Sequence, residues 1–173
     1  MNFRLALKYG SVIGLIIVSS FFIVFYVTEG NPDLINGELI GYATMLLAFS
    51  AVFIGIKNHR DKSLGGIMTF KQGFLCGLGI VLVASIIYVA GWMIYQPNFA
   101  PDFADEYFAA QIEKVQANDE LTSSEREVKI EELGASLESY KKPHVMAAYT
   151  FLEIFPVGLI VTLIASFALR KKA

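Results

Sequence analysis

The sequence predicts an all-α integral membrane protein: a four-helix bundle with an extracytoplasmic two-helix hairpin between the third and fourth spans. Three observations carry that expectation. Of the 173 residues, 55% are hydrophobic and only 17% charged, where an average soluble domain carries roughly 25% charged residues. Four long apolar runs are separated by short polar stretches. One polar stretch, 96–144, is 49 residues long and so has room for two helices of its own. A soluble enzyme is excluded by the first observation. The length is that of one domain, a single membrane domain over 1–173 with 96–144 as its insertion.

A hydrocarbon core of about 30 Å needs roughly 20 apolar residues in a helix. Four windows meet or approach this, at about 5–27, 39–56, 70–95 and 145–169. The second is the shortest, and it crosses if Gly37 and Glu38 lie in the interface. The first is expected to be a retained span rather than a signal peptide. Its apolar stretch from 9 to 27 outruns the roughly 7–15 residues of a signal core, and no small-x-small cleavage site follows.

Basic residues close to spans stay on the cytoplasmic side. Arg4, Lys8, Lys57, Arg60, Lys62, Lys71, Arg170, Lys171 and Lys172 make nine of the 14 Lys and Arg, accompanied by one acid, Asp61. The loop after the first span instead carries Glu29, Asp33 and Glu38 with no base, and 96–144 holds 11 acids against five bases. Both termini are therefore expected in the cytoplasm. Tyr26, Tyr42, Trp92, Tyr95 and Tyr149 fall near the outer boundary, where amphipathic rings prefer to sit. Small residues four apart, Gly10 with Gly14, Gly37 with Gly41 and Gly73 with Gly77, allow close helix approach, either inside one bundle or between copies.

Within 96–144, Pro97 and Pro101 are expected to close the third span and open a first outer helix. Its apolar stripe is Phe103, Tyr107, Phe108, Ile112 and Val115. A second helix starts at Thr122 and Glu125, which match a capping box, and its stripe is Ile130, Leu133, Leu137 and Tyr140. Gly134 weakens it by about 1 kcal/mol. The two stripes bury against each other as a hairpin, or one of them docks on a partner or the membrane surface. A net charge of −6 argues against anionic lipid.

Glu153 is the one acid inside an expected span, about eight residues or 12 Å from its outer end. An ionised carboxylate there costs several kcal/mol, which makes the residue a functional candidate, neutral or hydrogen-bonded. Pro156 cannot donate to the Leu152 carbonyl, leaving a free acceptor beside Glu153. Ser20, Thr44 and Tyr88 fall at similar depth in the other spans, so they could complete a polar layer. A protonated Glu153 that only fixes helix packing is the competing reading.

The inner loop, 57–70, offers Lys57, Arg60, Asp61, Gly65, Gly66 and Thr69. A glycine pair beside cations can hold a phosphate or lipid head group; the plainer reading is that the cations set topology and the glycines make the turn. The loop lacks a phosphate-binding P-loop pattern. His59 and His144 lie on opposite sides of the membrane, and Cys76 is the only cysteine. No metal site, cofactor, disulfide or catalytic set is therefore expected. With a net charge of −2, neither is nucleic-acid binding.

The chain resembles a family of bacterial four-span membrane proteins known as domain of unknown function 4199, found chiefly in Bacteroidota. The residues that carry the likeness are Gly55-Ile56-Lys57 with Arg60-Asp61, then 65–74 from Gly65-Gly66 through Thr69-Phe70 to Gly73-Phe74, and Glu153-Ile154-Phe155-Pro156-Val157-Gly158-Leu159. The resemblance implies a bacterial inner-membrane protein with four helices and supplies no activity. The expected function is that of a non-enzymatic accessory or scaffold subunit, with the bilayer as its surroundings and a protein partner bound through 102–140. The alternative is a small proton-linked transporter or channel that uses Glu153 and is built as a homo-oligomer.

Overall fold

The computed structural model describes residues 3–28 and 37–171, with seven helices and no strand among them. They are α1 (Phe3–Thr28), α2 (Gly37–Phe49), α3 (Ala51–Ser63), α4 (Phe70–Phe99), α5 (Phe103–Gln116), α6 (Ser123–Tyr140) and α7 (Pro143–Leu169). Glu29 and Asp33, the surroundings of Gly37 and Glu38, and Lys172 lie outside the described residues. Four elements are long and apolar enough to cross a membrane: α1, the stretch Leu39–Ser63, α4 and α7. The chain is thus an all-α multi-pass membrane bundle.

It divides into two units, Met1–Trp92 with Thr150–Ala173, and Met93–Tyr149. In the first, α4 is the hub. Lipid tails are as apolar as leucine, so helices associate there by close packing rather than by escape from water. Glycines supply that closeness. A Cβ on Gly10 of α1 would lie 2.6 Å from the Ile80 carbonyl oxygen of α4, and one on Gly14 2.8 Å from Ile87. On the other side of α4, Gly77 meets Thr162 of α7, and Gly158 of α7 meets Val81. Gly55 of α3 is closed over by Ile80. Two of the three glycine pairs therefore serve internal packing, while Gly41 has nothing within 4 Å.

Around these contacts the interior is filled by Ile13, Ile17, Phe49, Val52, Ile56, Val81 and Ile154, all at most 1% exposed. Large apolar side chains also point outward, among them Leu15, Ile23, Leu47, Leu152 and Phe167. In water such a surface would be an aggregation liability; against acyl chains it is the solvated face.

Helix outruns the expected second span, 39–56, and this corrects the start of the expected inner loop, 57–70. Helix continues to Ser63, so Lys57, His59, Arg60 and Asp61 lie on the last turns of α3, and the turn proper is only 64–69. Ser50 interrupts the element. Its hydroxyl donates to the Leu47 carbonyl at 2.6 Å, while its N–H is shared between Leu46 and Leu47. This back-bonding draws the ladder toward i→i+3 spacing and divides α2 from α3 without reversing the chain.

Pro97 corrects a second boundary. It lies inside α4, which runs to Phe99. Near a C-terminus the missing N–H costs one bond, and Asn98 Nδ2 donates to the Ile94 carbonyl at 2.6 Å. Likewise α7 begins at Pro143 and passes through Pro156 as one helix.

The second unit contains the α5–α6 hairpin. Phe108 packs edge-on to Tyr140, with ring centroids 6.3 Å apart, and Lys141 bridges to Asp105 at 3.1 Å. Helix α6 runs through Gly134, which is half-buried with nothing crowding it. Its start is the full capping box. Thr122 Oγ1 accepts from the Glu125 N–H at 3.3 Å, and Glu125 Oε2 accepts from the Thr122 N–H at 2.9 Å and hydroxyl at 2.7 Å.

Those bonds hold the Glu125 carboxyl below its ordinary pKa, the Thr122 hydroxyl contributing most. Because the folded value is the lower one, the box contributes fully above the usual carboxylate range and is lost as pH falls through the depressed value. Thr122→Ala is expected to destabilise the hairpin by about 1 kcal/mol and to flatten this acid-side loss. Amide exchange across 122–130 at several acidic pH values checks it; an unchanged pH profile in the variant would contradict the assignment.

Candidate functional site

Of the expected polar layer, the fold joins two members. Tyr88 is 3% exposed, and its hydroxyl donates to Glu153 Oε2 at 3.1 Å. The antiparallel run of α4 against α7, fixed by Gly77 on Thr162 and Val81 on Gly158, brings residue 88 level with 153. Ser20 turns instead to its own helix, donating to the Ile17 carbonyl at 2.6 Å. Thr44 is half-buried on α2.

Glu153 itself is exposed on the flank of the bundle. It stands ten residues from Pro143 and 16 from Leu169, or about 15 and 24 Å along the axis. Tyr88 also belongs to a ring cluster that the sequence reading missed. Phe21 of α1 lies 5.3 Å from both Tyr88 and Trp92, tilted to the first and edge-on to the second. Helical depth can be counted from a sequence, but the rotation that turns α1 toward α4 is set by Gly10 and Gly14, and only packing reveals it.

The second group of candidates surrounds the α3–α4 turn. Arg60 Nε donates to Asp61 Oδ1 at 2.7 Å, and its Nη1 to the Leu169 carbonyl at 3.2 Å, so one guanidinium satisfies a terminal carbonyl of α7. The Arg60 carbonyl accepts from the N–H groups of Leu64 and Gly66. That wrap needs φ of +65° at Gly65 and +90° at Gly66, a region L side chains avoid. Met68 and Lys171 then exchange both backbone bonds as an isolated antiparallel bridge, at 3.0 and 2.9 Å. Thr69 caps α4 in a second box, accepting from the Gln72 N–H and donating to Gln72 Oε1 at 3.0 Å. The Thr69-x-x-Gln72 spacing was a readable signal for it.

Every polar group of this turn that carries such a bond is engaged in closing α3, opening α4 or holding the tail. Lys57, Lys62 and Lys71 remain exposed. His59 is buried, and its Nδ1 has no partner among the described residues. No group of three metal-ligating side chains occurs among the described residues.

No curated protein and no solved structure matches the chain. Residues 8–171 match the family described as Protein of unknown function (DUF4199), a stretch that contains both the Tyr88–Glu153 pair and the Arg60 turn. With nearly the whole length covered, the chain belongs to that family.

Proposed function

We propose that this protein is a non-enzymatic accessory subunit of the bacterial inner membrane, with both termini cytoplasmic and the α5–α6 hairpin as its contact surface outside. The observation that carries the reading is that Met93–Tyr149 forms a compact unit distinct from the membrane bundle. That unit holds 11 of the 16 acids of the chain, and Phe103, Tyr107 and Val128 are exposed among them. Apolar anchors within a charged rim are the ordinary composition of a protein contact. The close-packed apolar interior of the bundle supports the same reading.

The Tyr88–Glu153 bond favours a second reading, a proton-linked transporter. Against it, Glu153 lies on the flank of the bundle and not on an interior path, so conduction would need further copies.

Crosslinking in native membranes, followed by mass analysis in a lipid-retaining carrier, tests the first reading. A second polypeptide in fixed ratio is expected, and it should be lost when 102–140 is replaced by a short Gly-Ser linker. Recovery of the chain alone would remove the accessory reading.

A further inference from the structure

We propose that Lys57, Arg170 and Lys171 form a binding site for the head group of an anionic phospholipid, where the end of α3 meets the tail. The ligand is a phosphodiester of net negative charge, presented by the bilayer and not by free solution. The site belongs to the membrane unit alone.

It begins with a charge surplus that the fold concentrates. Arg60 and Asp61 neutralise each other, the guanidinium donating to both carboxylate oxygens at 2.7 and 3.3 Å. Lys57, four residues earlier on α3, and Lys171, from the far end of the chain, also act on the Asp61 carboxylate. Three cations from two elements thus gather about one acid. Both lysines are exposed, and neither makes an ion pair among the described residues. A second anion therefore has two uncommitted ammonium groups to meet.

The position of Lys171 is built into the fold. A basic tail that only marked one side of the membrane would need no fixed backbone. Here Met68 and Lys171 exchange both backbone bonds, at 3.0 and 2.9 Å, and Arg60 Nη1 donates to the Leu169 carbonyl at 3.2 Å. The tail is held at two points against the end of α3, so the entropy of ordering it is lost on folding and not on binding.

Arg170 sets the level of the site. Its guanidinium lies over the Phe167 ring, 4.0 Å from the centroid, and Phe167 is 60% exposed on the flank of the bundle. The ring meets acyl chains, so the cation stacked on it stands at their boundary. The 27 residues of α7 run about 40 Å against a hydrocarbon core of about 30 Å, which brings the residues after Leu169 to head-group level. A phosphate arriving there is joined to acyl chains that can cover Phe167. A zwitterionic head group fits less well, because its own ammonium would approach Lys57, Arg170 and Lys171.

The test uses the full-length chain in phosphatidylcholine nanodiscs, titrated with phosphatidylglycerol of distinct acyl mass and released for native mass analysis. One phosphatidylglycerol per chain is expected to bind saturably, ahead of any others, and more weakly at high salt. Lys57→Gln with Lys171→Gln should weaken that binding roughly 25-fold, at about fivefold per lysine. Lys62→Gln with Lys71→Gln removes the same charge from the same turn. It should cost less than about threefold, because charges outside the site act only through a screened field.

Equal losses in the two double variants would mean a diffuse basic surface and overturn the proposal. Displacement of the lipid by equimolar glycerol 3-phosphate would make a free phosphate the ligand and overturn it as well. Should the Lys57 and Lys171 variant fail to fold, as judged by the fluorescence of Trp92, the only tryptophan, the wild-type chain still decides. Retention of phosphatidylglycerol over mass-labelled phosphatidylcholine, undisturbed by glycerol 3-phosphate, supports the site, and equal retention of the two lipids overturns it.

Discussion

Gly10→Leu is expected to prevent the membrane unit from assembling, while Gly41→Leu is expected to be nearly silent. At Gly10 a Cβ would lie 2.6 Å from both the Ile80 carbonyl oxygen and Val83 Cβ. The first is backbone of the hub helix and cannot turn aside as a side chain can. Overpacking a well-filled core costs about 1–3 kcal/mol, occasionally more, and here α1 must back away from α4 along its length. A loss of about 3 kcal/mol or more is a large part of the roughly 5–15 kcal/mol that holds a domain together. Gly41 has nothing within 4 Å, so leucine there adds a lipid-facing side chain and changes stability by about 0.5 kcal/mol or less. Denaturation in mixed micelles followed by Trp92, which packs on Phe21 of α1, measures both. Equal shifts would contradict the assignment of Gly10 to the α1–α4 contact. A change of oligomeric state in Gly41→Leu alone would mark that face as a contact between copies.

Phe108→Ala is expected to open the hairpin and leave the bundle folded. Helix α5 buries only Ala104 and Phe108 among the described residues, and α6 buries none. Two helices of this length are marginal without packing, and Phe108 is the largest side chain they bury, edge-on to Tyr107 and Tyr140. Truncating a buried phenylalanine costs about 3–5 kcal/mol, more than the Lys141–Asp105 pair can offset, since exposed ion pairs contribute about 1 kcal/mol or less. Rapid trypsin cleavage at Arg126 and Lys129 should appear in the variant, with the Trp92 signal of the bundle retained. Val128→Ala, at a side chain 52% exposed, should cleave at the wild-type rate. Protection unchanged by Phe108→Ala would mean that the hairpin is held by something other than this ring.

The number and type of the membrane elements were legible because hydropathy sums over many residues and tolerates local error. Boundaries were less so, each for a local reason. Charged residues from Lys57 to Lys62 end an apolar window but not a helix, since their backbone bonds continue to Ser63 regardless of side-chain polarity. Pro97 removes a single donor and so stops α4 only two residues later. Counting depth placed Tyr88 level with Glu153, and the fold joins them. The same counting also placed Ser20 and Thr44 there, but a serine hydroxyl reaches its own helix carbonyl at no packing cost. Phe21 and Trp92 were invisible because their meeting depends on how α1 is rotated. The Thr122 box was legible in full, being local; the Thr69 box was equally local and followed the same spacing.

The hub position of α4 also dictates an order of events during synthesis. The first two spans leave the ribosome before the helix that fills Gly10, Gly14 and Gly55 has been made, so they enter the bilayer with those sockets open. Only when the chain has grown past residue 92 can α1 and α3 close on α4, and the opposite flank, at Gly73 and Gly77, waits for Thr162 and Ser166 of the final helix. The pairing of Lys171 with Met68 likewise waits for α7, and it ties the end of that helix to a turn made about a hundred residues earlier.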